Sequence, residues 1–233
     1  MINIDHPAED VVRITIDLEP VNALDPPAIT ALCSAFRNLA EDRPAKGILL
    51  TGAGNSFCAG VDVRAFSALD HGERIELARS ITAMMAAVFS VECPVVALVN
   101  GHALGGGLIL ALGADWRIAV DNPDVKLGLP EAKAGVPFPS GPMAILRHLL
   151  PGNLARRWAV SSMTLTPAEM RDHVVIDELC EPHQLLERGL ERITRFAAQP
   201  GFAVVKRQLV EHLLKELQAL TEARAEKFWE DMA

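Results

Sequence analysis

Residues 94–115, PVVALVNGHALGGGLILALGAD, constrain the fold more than any other stretch of this chain. The apolar run 95–99 reads as a buried strand. Asn100 and Gly101 interrupt it, glycines follow at Gly105, Gly106 and Gly107, and an apolar helix-like run over 108–112 ends at Gly113. A strand that feeds glycines and then a helix directs free backbone N–H groups at one point, because the first turn of a helix holds no internal acceptors for them. Glycine also lets a ligand approach the backbone. The segment is therefore a candidate site for an anion, or for an oxygen that becomes anionic during a reaction. The glycines do not spell G-x-G-x-x-G and no G-K-[ST] follows, so dinucleotide and P-loop readings lack support. Close helix–strand packing is the alternative use of such glycines.

Around this segment, strand and helix patterns alternate. Residues 11–18 alternate and are β-branched, a strand; residues 19–25 are a turn-rich connection. Pro26 and Pro27 open a helix whose apolar positions are Ile29, Leu32, Phe36 and Leu39. Residues 46–51 read as a strand, 52–60 as a loop, 73–89 as an amphipathic helix and 116–120 as another strand. Such alternation predicts an α/β fold with largely parallel pairing. Beyond Pro139 the pattern turns helical, over 143–150, 153–161 and 183–198, with a capped start at Thr166-Pro167 and a short strand or buried turn over 174–179. Pro200-Gly201 marks the boundary between a core, 1–199, and a helical extension, 200–233. In that extension Phe202, Val205, Leu209, Leu213, Leu217 and Leu220 form one stripe. No internal repeat is visible.

A net charge of −8 argues against nucleic acid as a partner. With 233 residues, half of them hydrophobic, the chain can bury a sizeable core. Cys33, Cys58, Cys93 and Cys180 show no C-x-x-C pairing, so no zinc site is expected, and reduced thiols in the cytoplasm are the simple reading. The N-terminal stretch lacks the pattern of a signal peptide, and no apolar run reaches membrane-spanning length.

Three motifs stand in order. The first is TGAGNSFCAGVD, from Thr51 to Asp62; the second is NGHALGGG, from Asn100 to Gly107; the third is LGLPE, from Leu127 to Glu131, followed by Gly135-Val136-Pro137. With the Asn22-Ala23-Leu24 turn and Asp115, they resemble the enoyl-CoA hydratase/isomerase (crotonase) family from about residue 11 to about residue 180. The resemblance implies a stacked β-β-α superhelical core, a helical C-terminal part, a coenzyme A thioester substrate and assembly into trimers or pairs of trimers. It places the catalytic functions on the N–H groups of Val61 and Gly106, which hold the thioester oxygen while an enolate forms, and on Glu131. Ala59, Gly60, Asp62, Arg64, Gly105, Ile109 and Phe138 are the expected substrate-binding positions. Coenzyme A arrives with the substrate, so no separate cofactor and no metal is expected.

Hydratases of the family carry two glutamates. One of their positions is Ile109 here, which cannot move a proton; the other is Glu131. A single carboxylate suits removal of a proton from one carbon and its return to another, so the expectation is an enoyl-CoA isomerase. A hydratase or other thioester enolate chemistry, and an acyl-CoA binder without turnover, are the alternatives. Plainer uses exist for several of these residues. Glu131 could be a surface or capping glutamate, Asp62 and Asp115 braces of their own turns, Arg64 a solvated side chain, His102 a loop-packing residue and Cys58 a small buried thiol. In the tail, Lys227 with Phe228 could reach a neighbouring subunit's coenzyme A.

Overall fold

The computed structural model describes residues 1–42, 46–223, 226 and 229. Its elements run β1 (Ile2–Ala8), β2 (Val11–Ile16), α1 (Pro26–Asp42), β3 (Gly47–Gly52), β4 (Ser56–Cys58), α2 (Val63–Ala68), α3 (His71–Ser90), β5 (Val95–Val99), β6 (His102–Leu104), α4 (Gly106–Leu112), β7 (Trp116–Val120), β8 (Leu127–Gly128) and α5 (Glu131–Ala134). The chain continues through α6 (Ser140–Leu149), α7 (Gly152–Ser161), β9 (Thr164–Leu165), α8 (Pro167–Asp172), β10 (Glu178–Cys180), a 3-10 turn (Pro182–Gln184), α9 (Leu185–Ala197) and α10 (Phe202–Ala223).

Two sheets organise it. The larger is ordered β1-β2-β3-β5-β7-β10, antiparallel at β1/β2 and parallel across the rest. The smaller is ordered β4-β6-β8-β9, parallel except at β8/β9. Each long strand, β3, β5 and β7, leads into a short strand of the second sheet and then into a helix. A β-β-α unit therefore repeats, although the sequence shows no repeat. Every residue of β5 is buried because both faces are covered, which is why it reads as an unbroken apolar run.

The second sheet corrects the sequence reading in two places. The expected loop over 52–60 contains β4, and the strand that delivers the glycines to α4 is β6, one crossing later than β5. Two asparagines hold these crossings. Asn22 Nδ2 donates to the carbonyls of Ala53 (2.9 Å) and Ser56 (2.7 Å), and Asn100 Oδ1 accepts from Gly52 N–H (3.0 Å). Asp115 is likewise a brace, its Oδ2 accepting from Val95 N–H at 2.8 Å.

In α10 the expected apolar stripe holds at Leu213, Leu217 and Leu220 and fails at Val205 and Leu209. Val205 is 53% and Leu209 70% exposed, and the core-facing positions are Lys206, Val210, Leu213, Leu214, Leu217 and Leu220. The inward cation explains the departure. Lys206 Nζ donates to Asp115 Oδ2 (2.7 Å) and to the Cys93 carbonyl (2.9 Å), so a charged residue occupies a turn that an apolar pattern cannot predict. Helix α10 packs against α3 and α6. No helix among the described residues is long and apolar enough to cross a membrane.

Candidate active site

The first two motifs meet at their glycines. Gly60 has φ +83°, and a Cβ there would stand 2.8 Å from the Leu104 carbonyl oxygen and 3.1 Å from the Gly106 nitrogen. The peptide between Gly60 and Val61 thus lies beside the start of α4. Around Val61 the chain is extended and bridged to Leu24: the Gly60 carbonyl accepts from Leu24 N–H (2.7 Å) and Asp62 N–H donates to the Leu24 carbonyl (2.9 Å). Successive N–H groups of an extended chain face opposite ways, so Val61 N–H faces away from Leu24. Gly106 is the first residue of α4, where an N–H has no acceptor within the helix. Neither N–H has a hydrogen-bond partner among the described residues.

The third motif brings a carboxylate to the same place. Pairing of β6 with β8, reinforced by Gly105 N–H donating to the Gly128 carbonyl (2.8 Å), sets Pro130 and Glu131 beside the glycines. Gly105 has φ +54°, and a Cβ on it would stand 2.8 Å from Glu131 Oε1. Its conformation therefore calls for glycine, and a Cβ would push the Glu131 carboxylate aside. Glu131 Oε2 is shielded from solvent with no hydrogen-bond partner among the described residues. Burial pushes the Glu131 carboxyl up to about 7, partly offset by a backbone N–H. Such a group holds or releases a proton near neutrality, as a general acid–base requires.

These groups line one cavity, with about 640 Å³ of empty space when its open mouth is included. Ala59, Gly60, Val61, Gly105, Gly106 and Glu131 form the side where the motifs meet. Ile109 and Phe138 also line it. Asp62 and Arg64 do not. Asp62 caps α2, accepting from the N–H groups of Arg64 (2.8 Å) and Ala65 (3.2 Å), and the Arg64 side chain is exposed. The other walls come from residues the sequence reading missed, among them Val63, Phe66, Ile81, Pro142 and Trp229. Ile81 was legible as a core position of α3. Nothing in the sequence ties Phe66 or Trp229 to the glycine motifs. Lys227 and Phe228 lie outside the described residues.

Glu131 is the sole ionisable side chain among the described residues lining the cavity. Cys58 is fully buried, its thiol pushed up to about 12 by burial, and its Sγ accepts from Gly60 N–H at 3.4 Å, so it supports the first turn as a neutral group. His102 Nδ1 accepts from Lys126 N–H (3.1 Å), a packing role outside the cavity. No group of three or more His, Cys, Asp and Glu placed to hold a metal occurs among the described residues.

The chain matches the enoyl-CoA hydratase/isomerase family over residues 7–232. It is 31% identical over 195 residues to a carnitinyl-CoA dehydratase of Salmonella arizonae, covering 83% of this chain and 74% of that protein. It is 32% identical over 182 residues to a peroxisomal fatty acid beta-oxidation multifunctional protein of Oryza sativa, covering 77% of this chain and 25% of that longer one. Human mitochondrial delta3-delta2-enoyl-CoA isomerase superposes with a TM-score of 0.89 at 22% identity, over 98% of this chain and 90% of that one. An enoyl-CoA hydratase from Bacillus anthracis gives 0.82 at 24% identity, over 96% and 90%. At such identities the solved structures establish the fold, which is that of the crotonases. The family match along nearly the whole chain, with a relative above 30% identity, establishes descent as well: this chain belongs to the enoyl-CoA hydratase/isomerase family, whose members act on acyl-CoA thioesters.

Proposed function

We propose that the protein shifts the double bond of a 3-enoyl-CoA to give the conjugated 2-enoyl-CoA, with Glu131 as its one proton-transfer group. The observation that carries this reading is that Glu131 is the one ionisable side chain among the described residues lining the cavity, with Ile109 where a second acid would be needed for the two-acid hydratase chemistry. Glu131 in its ionised form takes the α-proton next to the thioester carbonyl. The electron pair of that C–H bond spreads over the diene and the thioester oxygen, which the N–H groups of Val61 and Gly106 stabilise. Glu131 then returns the proton to the γ-carbon, and the double bond ends conjugated with the carbonyl. Atoms balance without water and without change of oxidation state, so the chemistry calls for no metal or redox cofactor. Each backbone donor in a site of this type is worth about 10²–10³ in rate, and the acid–base group about 10²–10⁴. The same reading carries a cytoplasmic enzyme working as a trimer or a pair of trimers.

Similarity to a carnitinyl-CoA dehydratase favours a second reading, in which Glu131 adds or removes water at a 2-enoyl-CoA. One enzyme preparation offered 3-enoyl-CoA and 2-enoyl-CoA in parallel separates the two. The isomerase reading expects the conjugated product from the first to form faster than hydration of the second. Faster hydration would overturn it, and acyl-CoA binding with no α-proton exchange would reduce the protein to a binder.

A further inference from the structure

The cavity has an open side and a blind end. Val63 is 50% exposed, and Ala134, Val136, Pro137 and Phe138 are exposed or half-buried. Phe66, Ile81, Ile109 and Trp229 are 7%, 4%, 0% and 3% exposed. Coenzyme A is large and charged and has to remain at the open side. With the thioester oxygen at the Val61 and Gly106 N–H groups, the acyl chain has the blind end to occupy.

Trp229 reaches that end from beyond α10, and its place is fixed by Glu226. Glu226 is 2% exposed; its Oε1 accepts from Thr82 Oγ1 (3.1 Å), and its Oε2 accepts from the N–H (2.8 Å) and Oγ (3.0 Å) of Ser140. A buried carboxylate satisfied by three donors is a firm attachment, since removing the donors leaves an unpaired charge. The backbone N–H of Trp229 donates to the Glu226 carbonyl (2.8 Å), so a single turn separates the attachment from the indole. The indole then meets the Phe66 ring edge-on, with centroids 5.3 Å apart and planes at 86°. Thr82 follows Ile81 and Ser140 follows Pro139, both lining residues, so the attachment and the indole close the same wall.

We propose that Trp229 sets the acyl-chain length of the substrate: its indole stops the blind end and restricts the enzyme to short acyl groups, and Glu226 is the residue that positions it. This inference rests on the orientation of the thioester proposed above. Its test uses thioesters that cannot isomerise, so that the two ideas fail separately. Dissociation constants are measured for saturated acyl-CoA thioesters from butyryl to lauroyl, with the parent, Trp229→Phe, Trp229→Ala and Glu226→Gln. In the parent, affinity rises through the short members and then falls at a turning point. Trp229→Ala moves the turning point to longer chains, each newly accommodated methylene tightening binding about fourfold; Trp229→Phe moves it less, and Glu226→Gln moves it in the same direction. A turning point unmoved in folded Trp229→Ala overturns the inference. If that variant does not fold, an unmoved turning point in Trp229→Phe and Glu226→Gln does so. Lauroyl-CoA binding to the parent as tightly as butyryl-CoA overturns it as well. Loss of the isomerase reading would show instead as absent α-proton exchange, with the binding series intact.

Discussion

Replacing Glu131 with glutamine tests the electrostatics of the site without reference to any substrate. In the folded chain this carboxyl titrates at about 7 instead of 4.5, because burial disfavours its charged form. Between those values the folded chain holds a proton that the unfolded chain has released, so stability falls as pH rises through the window from 4.5 to about 7. At about 1.4 kcal/mol per pH unit, the loss amounts to about 3 kcal/mol above the folded value. Glutamine cannot ionise and escapes that loss. Urea unfolding of the parent and of Glu131→Gln is followed from mildly acidic to mildly alkaline pH, and the difference between the two removes the contribution of every other titrating group. The variant should gain on the parent by about 3 kcal/mol across the series, nearly all of it between pH 4.5 and about 7. Any offset from packing the amide is the same at every pH. A difference that does not vary with pH refutes the reasoning, because it places the carboxylate in a solvated setting, with the weaker basicity of an ordinary carboxyl.

Three further expectations concern the surroundings. Gly106→Pro should remove one oxyanion donor and lower turnover by about 10²–10³ while the protein stays folded, since proline is tolerated at the first position of a helix; Gly106→Ala keeps the N–H and its Cβ would meet Gly60 Cα at an ordinary 3.7 Å, so circular dichroism and turnover should both stay near the parent's. Val61→Ala should retain substantial activity because the backbone does the work, and a folded but inactive variant would contradict the assignment. Lys206→Met should destabilise the chain by about 3–5 kcal/mol in urea unfolding, because it leaves the half-buried Asp115 without its cation, and adding Asp115→Asn should restore part of that.

How much of this was legible in the sequence depended on element length and on burial. Strands β5 and β7 stand where the sequence reading put them; β5, covered on both faces, carries a continuous hydrophobic signal, and β7 is buried at Ile118, Ala119 and Val120. The second sheet was illegible. Its strands are two or three residues long, too short for any period to develop. In the larger sheet β1 was hidden as well, because it carries the polar INIDHPA. The β-β-α repeat was hidden for another reason: the 20-residue helix α3 stands between α2 and β5 with no counterpart between α4 and β7, so no fixed spacing recurs. The glycine turns and Glu131 could be read as motifs. Their meeting could not, because the 2.8 Å approach of Glu131 Oε1 to the space beside Gly105 arises from strand pairing across distant segments. Trp229 had no local signal, since its place follows from the hydrogen bonds of Glu226 to Thr82 and Ser140, far away in the chain.

The central claim is that Glu131 moves the proton. The rate of α-proton exchange into an acyl-CoA thioester in deuterated water, compared between the parent and Glu131→Gln, tests it most directly, since exchange reports the enolate step whatever product follows. The parent's rate should climb with pH and level off above about 7, following ionisation of the carboxyl. With acyl-CoA binding preserved, Glu131→Gln should exchange at least about a hundredfold more slowly. An unchanged exchange rate with binding intact would contradict the account, leaving two backbone donors and a cavity with no base.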